Sequence, residues 1–143
     1  MAKMGEIQIY DASNEDRKYL YHQLDIFNHT KVSYDQNDPV LYFERCIKKD
    51  NVVIGGILAQ MFWGILSIEI LWVDEKYRNN GYASALLNDV EKMAKDKNCT
   101  ISHLSTYDFQ AKDFYEKSGY IVFGILEDCP DGHKCYYMSK KFI

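Results

Sequence analysis

The fold is decided by the segment Tyr77-Arg78-Asn79-Asn80-Gly81-Tyr82-Ala83-Ser84-Ala85-Leu86-Leu87, which follows the apolar run Ile68–Val73 and begins a helical pattern. The first turn of a helix has backbone N–H groups without intrahelical partners, and the helix dipole adds partial positive charge there. Gly81 lets an anion approach the backbone closely, and Arg78 adds a permanent, forked cation. A strand, a glycine loop and a helix start in this order predict a phosphate or pyrophosphate site. Its expected ligands are the Arg78 side chain and the amides of Asn79, Asn80, Gly81, Tyr82, Ala83 and Ser84.

Two motifs in the chain carry a resemblance to one enzyme family. The first is Arg78-x-x-Gly81-x-Ala83, and the second is Ala111-Lys112-Asp113-Phe114-Tyr115-Glu116-Lys117-Ser118-Gly119-Tyr120. They resemble, in order and spacing, the pyrophosphate signature and the later Ala-x-x-Phe-Tyr-x-x-x-Gly-Tyr signature of the GCN5-related N-acetyltransferases, although Ala83 stands where that family often has Gly. The similarity covers roughly Ile65 to the last residue. It implies an enzyme that moves an acetyl group from acetyl-coenzyme A to a primary amine by direct attack in a ternary complex, without a metal.

Hydrophobic periodicity predicts alternating strands and helices along the chain. The expected strands are Glu6–Tyr10, Val40–Ile47, Val52–Phe62, Ile65–Val73, Thr100–Thr106, Tyr120–Leu126 and His133–Phe142. The expected helices are Glu15–Val32, one from the phosphate loop to about Lys97, and one from Phe109 or Gln110 to Ser118. This order predicts a three-layer α+β fold with a mostly antiparallel, mixed sheet, in which Ile65–Thr106 is a parallel strand–helix–strand unit. The resemblance adds a V-shaped splay between the two strands that flank the phosphate helix.

The segment Val52–Val73 is apolar enough to be considered as a membrane span, because only Gln60, Ser67 and Glu69 interrupt it. A charge such as Glu69 is costly inside lipid, and Val and Ile favour strands. Two buried antiparallel strands that turn near Gly64 explain the run better, so no membrane association is expected.

Length and composition limit the remaining possibilities. With 143 residues, the chain is expected to form a single domain over residues 1–143. Its net charge of −4 provides no general attraction for nucleic acid. The four cysteines form no CxxC pair and show no zinc-type spacing, which favours reduced thiols in a cytoplasmic protein.

The resemblance also implies catalytic roles for particular residues. The strand end Leu71-Trp72-Val73 would pair with the pantetheine arm as an added strand, and the Val73 amide would stabilise the oxyanion. Tyr115 would protonate the departing thiolate, with core packing of a helical aromatic as the alternative. Glu69 would act as general base if burial raised its pKa, whereas a solvated strand residue, with water as the base, is the competing interpretation.

Further cofactor contacts are implied for the second motif. Asp108 stands where the family often has Asn, and a carboxylate is unfavourable beside an anionic cofactor, so a helix cap is an alternative role for it. Surface solubility is the alternative role for the lysines in this region. The side chains expected to contact the cofactor are Phe109, Ala111, Lys112, Phe114, Tyr115 and Lys117.

The acceptor and the assembly are less defined by the sequence. Acidic residues and one histidine could form a mouth for a polyamine or a basic side chain, with a solvated loop as the alternative; they are Asp35, Asp38, Glu127, Asp128, Asp131 and His133. Small-molecule and peptide amines both fit as acceptors. The resemblance makes a homodimer plausible through the last strands. The second hypothesis for function is a module that binds coenzyme A without turnover.

Overall fold

A computed structural model describes residues 3–5, 7–32 and 39–142 of the chain. The chain divides into two compact units, Met1–Asp38 and Pro39–Ile143, so the single domain expected from its length stays a prediction. The first unit contains β1 Lys3–Met4, β2 Ile7–Gln8 and α1 Asn14–His29. The second contains β3 Leu41–Lys49, β4 Val52–Phe62, β5 Ile65–Val73, α2 Tyr82–Asp96, β6 Ile101–Tyr107, α3 Lys112–Lys117, β7 Ile121–Leu126 and β8 Cys135–Lys141.

The first strand differs from the expected Glu6–Tyr10. Only Ile7–Gln8 is a strand, and it pairs antiparallel with Lys3–Met4 around Gly5, while Glu6 lies outside the described residues. Gly5 has a φ of +70°, which a glycine adopts without steric cost.

The start of α1 is fixed by a capping box. The Ser13 hydroxyl accepts from the Asp16 amide at 3.1 Å, and the Asp16 carboxylate accepts from the Ser13 amide at 2.9 Å. Two otherwise unpaired donors are satisfied in this way. The helix ends at His29, before the expected Val32.

A two-residue turn joins β3 to β4. Asp50 and Asn51 both have positive φ, which is the backbone of a type I′ turn and twists in the same sense as the strands. The strand expected to end at Ile47 continues through Lys48 and Lys49, which still pair with β4, because the two-residue turn needs no further residues.

The second hairpin, β4–β5, matches its predicted bounds. Its turn is Trp63-Gly64, again with two positive φ angles. The apolar run that could be mistaken for a membrane span is therefore a pair of antiparallel strands. None of the helices in the described ranges is long and apolar enough to cross a membrane.

The second unit is built on a six-stranded sheet in the order β3-β4-β5-β6-β8-β7. All neighbours are antiparallel except β5 and β6, as expected. The parallel pairing is short: it begins at Ile65↔Ile101 and ends at Ser67↔His103. Beyond that point β5 continues to Val73 and β6 to Tyr107 without pairing to each other. The predicted V-shaped splay is therefore confirmed, and it opens a gap in the middle of the sheet.

Helix α2 packs its apolar stripe against β4 and β5. Gly81 precedes it with a φ of +78°. The helix ends at Asp96, one residue before the predicted end at about Lys97. Burial of each large aliphatic side chain contributes about 1.5–3 kcal/mol, so this stripe holds the helix start next to the splay. The buried apolar residues of α2 are Leu86, Leu87, Val90 and Ala94.

Helix α3 begins later than predicted, at Lys112 rather than Phe109 or Gln110. The Gln110 side chain accepts from the Tyr107 amide at 2.9 Å, which holds residues 108–111 in a turn before the helix. Gly119 follows the helix with a φ of +96°, as expected for the residue after a helix end.

Candidate functional site

One cleft of about 730 Å³ lies where β5 and β6 separate. Strand β5 forms one wall, and the end of β6, the turn that follows it and α3 form the other. This volume is typical of ligand sites. The cleft is lined by Glu69, Ile70, Leu71, Trp72, Val73, Arg78, Ala83, Ser105, Thr106, Asp108, Phe109, Gln110, Ala111, Lys112, Asp113, Phe114 and Tyr115.

The cleft brings the two sequence motifs together. Arg78 and Ala83 of the first motif line it together with Phe109, Ala111, Phe114 and Tyr115 from the region of the second. Lys117 is not among the lining residues and lies exposed at the end of α3. The loop residues Asn79, Asn80, Gly81, Tyr82 and Ser84 adjoin the cleft in sequence but do not line it.

The start of α2 presents unpaired backbone donors. Gly81 is the residue before the helix, and no side chain of the described residues caps this end. The amides of Tyr82, Ala83 and Ser84 are first-turn donors without intrahelical acceptors. The first turn contains no acidic side chain. A Cβ added at Gly81 would meet no atom within 4 Å, so the space above the turn is open. These features suit a phosphate group.

Arg78 is oriented by the end of β5. Its Nε donates to the Val73 carbonyl at 3.0 Å, which leaves the terminal nitrogens of the guanidinium for another partner. The loop is braced by Asn80, whose side-chain amide donates to the carbonyls of Tyr77 at 3.0 Å and Arg78 at 3.2 Å.

Strand β5 carries a bulge at Glu69. The pairs Leu58↔Ile70 and Ala59↔Ile68 leave Glu69 as the extra residue on its strand. A bulge re-aims the strand and leaves backbone groups unpaired. The Glu69 side chain is exposed, as in the solvated alternative, and its role as general base stays a prediction.

Tyr115 is buried, with 6% of its surface exposed, and still lines the cleft. Its ring lies edge-on to Phe114 at 5.2 Å and to Tyr120 at 5.8 Å. Burial raises the pKa of Tyr115 to about 12, so its hydroxyl remains protonated at neutral pH.

Asp108 does not cap α3, whose preceding residue is Ala111 and which has no side-chain cap. Its carboxylate instead accepts from the Lys134 amide at 3.0 Å and lies 2.9 Å from Nδ1 of His133. The hydrogen bond from Lys134 and then that from His133 hold the pKa of Asp108 below its usual value.

The other polar side chains of this region are mostly paired. Lys112 forms an ion pair with Glu116, which raises the pKa of Lys112 and competes with a cofactor phosphate. Glu127 lies 3.7 Å from Lys134, and Asp128 accepts from the Gly132 amide at 3.4 Å. Of the expected acidic mouth, Asp35 and Asp38 lie outside the described residues.

A buried polar network behind Tyr115 was not predicted. Glu91 of α2, 2% exposed, accepts from the Tyr120 hydroxyl at 2.8 Å and from Lys140 Nζ at 2.8 Å. The same hydroxyl also lies 2.7 Å from Ser102, and Lys140 also donates to the Ser118 carbonyl at 2.8 Å. The network ties α2 to the segment after α3, whose Tyr120 amide donates to the Tyr115 carbonyl at 2.9 Å. The sequence feature that could have indicated this network is Glu91, a charged residue within the apolar stripe of α2.

Within the described residues, no cluster of three or more His, Cys, Asp or Glu side chains could hold a metal ion. The polar groups of the cleft include backbone donors, Arg78, the Tyr115 hydroxyl, Glu69 and Asp108, which pairs with His133.

Known proteins are similar to this chain in sequence and fold. The model of the acetyltransferase (GNAT) family matches residues 7–120. Blasticidin-S acetyltransferase of Streptomyces morookaense is 33% identical over 88 residues, which are 61% of this chain and 65% of that protein. The crystal structure of an acetyltransferase from Bacillus cereus ATCC 14579 has a TM-score of 0.88 and 31% identity, covering 94% of this chain and 97% of that one.

A third relative was solved with a ligand. It is assigned as a streptothricin acetyltransferase of Bacillus anthracis str. Ames, and its structure is a complex with acetyl-coenzyme A. Its TM-score is 0.64 at 26% identity, covering 75% of this chain and 65% of that one. The chain thus spans about two thirds of the length of this relative and of the Streptomyces protein.

Proposed function

This chain belongs to the acetyltransferase (GNAT) family, and we propose that it transfers an acetyl group from acetyl-coenzyme A to a primary amine bound in the same cleft. The observation that carries the proposal is the meeting of three features in one cleft. They are the uncapped start of α2 beside Arg78, the bulged wall of β5, and the buried Tyr115 hydroxyl. The names of two relatives, a blasticidin-S and a streptothricin acetyltransferase, favour a small-molecule amine as acceptor over a peptide.

The pyrophosphate would be held at the start of α2. The amides of Tyr82, Ala83 and Ser84 and the terminal nitrogens of Arg78 supply donors and positive charge. Asn79 and Asn80 shape the loop, and Gly81 keeps it open. Phe109, Ala111 and Phe114 supply the apolar wall for the pantetheine arm. With Lys112 paired to Glu116 and Lys117 outside the cleft, we assign no phosphate contact to either lysine.

The acyl group would lie against the end of β5. Leu71 and Trp72 line the cleft, and Val73 beside them is 8% exposed. A Val73 amide aimed at the thioester oxygen would stabilise the negative charge that develops there when the amine attacks. Such a donor is more effective in a site that excludes water than in solution. Holding amine and thioester together supplies much of the rate, because it replaces an encounter in solution.

Tyr115 would protonate the departing sulfur. A free phenol has a pKa near 10 and a free thiol one near 8.5, so a hydroxyl with a pKa of about 12 is a weak acid for this task. The same burial also raises the pKa of a thiol that leaves next to Tyr115, because a thiolate loses solvation there as a phenolate does. The pKa of the leaving thiol thus approaches that of the Tyr115 hydroxyl only while the thiol is bound in the cleft. Proton transfer is thereby tied to a correctly bound thioester.

The acceptor amine must lose a proton before it attacks, because an ammonium ion has no lone pair. Glu69 is one candidate to accept this proton, since it lines the cleft on the bulge of β5. Its exposed carboxylate would accept the proton directly or through water.

The proposal is tested by following coenzyme A release. The purified chain is incubated with acetyl-coenzyme A and a panel of primary amines, free thiol is measured with a chromogenic reagent, and the acetylated amine is identified by mass. We expect release that depends on both the chain and an amine. Binding of coenzyme A without release for any acceptor would instead support the non-catalytic module.

A further inference from the structure

The Asp108–His133 pair joins the cleft to the loop between β7 and β8. Asp108 lines the cleft, and its Oδ1 lies 2.9 Å from Nδ1 of His133. Its second oxygen accepts from the Lys134 amide at 3.0 Å, so both carboxylate oxygens are engaged. The carboxylate is held in one orientation by two residues of this loop.

The geometry fixes the imidazole as well. The His133 amide donates to the Pro130 carbonyl at 2.8 Å, and the His133 carbonyl accepts from the Cys129 amide at 2.9 Å. The ring lies edge-on to Phe109 at 5.0 Å, and Phe109 stacks on Tyr107 at 5.2 Å. Phe109 and Asp108 both line the cleft, so His133, which does not line it, adjoins the cleft at these two residues with its ring half-exposed.

The pairing determines which ring nitrogen can accept a proton. An ionised carboxylate can only accept hydrogen bonds, and the bonds from Lys134 and His133 keep Asp108 ionised. Nδ1 of His133 must therefore carry the hydrogen, which leaves Nε2 with a lone pair in the neutral ring. Nε2 has no hydrogen-bond partner among the described residues. This is the arrangement of a general base held by an orienting carboxylate.

Glu69 lacks such an orienting partner. No hydrogen bond or ion pair within the described part of the chain fixes its exposed carboxylate. A general base is less efficient when its side chain is not held in position to accept the proton from the bound substrate.

We propose that His133, oriented by Asp108, takes the proton from the acceptor ammonium, and that the acceptor is an alkylamine that is charged at neutral pH. This inference rests on the proposed acetyl transfer. One proton passes from the ammonium to Nε2 of His133, and from this half-exposed ring to water. The amine attacks the thioester carbon, and the C–S bond breaks as Tyr115 protonates the sulfur. The second proton of the nitrogen passes through water to the Tyr115 phenolate and restores its hydroxyl. The products are an amide, a free thiol and one proton.

The charged side chains of the loop that contains His133, together with Asp108, favour a cationic acceptor. Asp108 faces the ring, and Lys134 beside it is drawn toward Glu127 at 3.7 Å. Asp128 and Asp131 lie in the same loop. The loop from Glu127 to Lys134 thus carries three acidic side chains and one lysine.

The test compares two acceptors of matching carbon skeleton. One is the alkylamine that the wild-type chain acetylates best, and the other is the corresponding hydrazide, which is uncharged at neutral pH. His133→Gln is expected to lower kcat/KM for the alkylamine by about 100-fold or more. The loss for the hydrazide should be several-fold at most, because that nitrogen already has its lone pair. Asp108→Asn should show the same pattern, and added imidazole should partly restore His133→Gln.

His103→Gln is the matched control, because His103 is also exposed but lies on β6 in the paired part of the sheet. Unchanged kcat/KM for the alkylamine in His133→Gln would overturn the proposal, as would equal losses for both acceptors, which indicate substrate positioning alone. A large loss in Glu69→Gln with none in His133→Gln would assign the base to Glu69. A wild-type chain that releases no coenzyme A with any acceptor would contradict the proposed function and this inference together. Release by the wild-type chain with an unchanged kcat/KM in His133→Gln would contradict only the inference.

Discussion

Replacement of Glu91 by Gln removes the negative charge from an ion pair that is shielded from water. Glu91 is 2% exposed and lies 2.8 Å from Lys140, whose side chain is 24% exposed. Removal of one partner of a buried pair typically costs 3–5 kcal/mol, because the remaining charge is left without compensation. Lys140 would keep its bond to the Ser118 carbonyl and some water, so we expect about 3 kcal/mol, the lower end of that range.

The reverse substitution is expected to cost more. Lys140→Met leaves the Glu91 carboxylate, with a side chain 3% exposed, facing only the Tyr120 hydroxyl. The expected loss is about 5 kcal/mol, the upper end of the range. The two single substitutions should not add, because both remove the same interaction.

Urea unfolding followed by circular dichroism measures these free energies of unfolding. The control is Asp89→Asn. Asp89 lies on α2, as Glu91 does, and forms an ion pair with Arg45 of β3. That pair has the same 2.8 Å separation but is about half exposed on both sides, so its loss should cost about 0.2–1 kcal/mol. A cost for Glu91→Gln no larger than that for Asp89→Asn would refute the argument that burial gives the network its importance.

Two further predictions concern Tyr115. Tyr115→Phe should lower kcat by about 10- to 1,000-fold on an acceptor whose chemistry limits the rate, with unchanged affinity for acetyl-coenzyme A, because only the proton donor is lost. Steady-state kinetics and calorimetry check this pair of results, and wild-type turnover would remove Tyr115 from the mechanism. Because the pKa of Tyr115 is raised from 10.0 to about 12 in the folded chain, the associated stability is present below pH 10 and is lost as the pH rises to 12. The loss should reach about 3 kcal/mol, and Tyr115→Phe should show a correspondingly shallower decline in unfolding experiments between these pH values; an equal decline would contradict the raised pKa.

The strand pattern and the family could be predicted from the sequence, since they depend on local regularities. The strands Val52–Phe62 and Ile65–Val73 have the predicted bounds, and the family inferred from the two motifs is confirmed. The splay between β5 and β6 is confirmed as well. The start of α3 was predicted too early, because the Gln110 side chain, a non-periodic feature, holds the preceding turn.

Long-range pairing is the part that the sequence did not reveal. Asp108 and His133 are 25 positions apart, and Glu91 and Lys140 are 49 apart. No local periodicity connects such residues, so sequence analysis assigns separate roles to Asp108 and His133 and none to Glu91 and Lys140. The sequence left the burial of Glu69 open, because an apolar run favours burial and the bulge that accompanies its exposure has no local pattern. The roles of the site residues, a homodimer and a cytoplasmic location stay predictions.

The central claim is that the start of α2 holds acetyl-coenzyme A, and isothermal titration tests it most directly. Wild-type chain, Gly81→Glu and Gly132→Glu are titrated with acetyl-coenzyme A and coenzyme A, with ATP as a comparison ligand. Gly81 and Gly132 both have positive φ and open surroundings, so the two variants carry the same backbone strain and the same added charge. We predict micromolar binding of acetyl-coenzyme A and coenzyme A to wild type and Gly132→Glu, little binding of ATP, and no binding to Gly81→Glu. Wild-type affinity in Gly81→Glu, or no binding to the wild-type chain, would contradict the account.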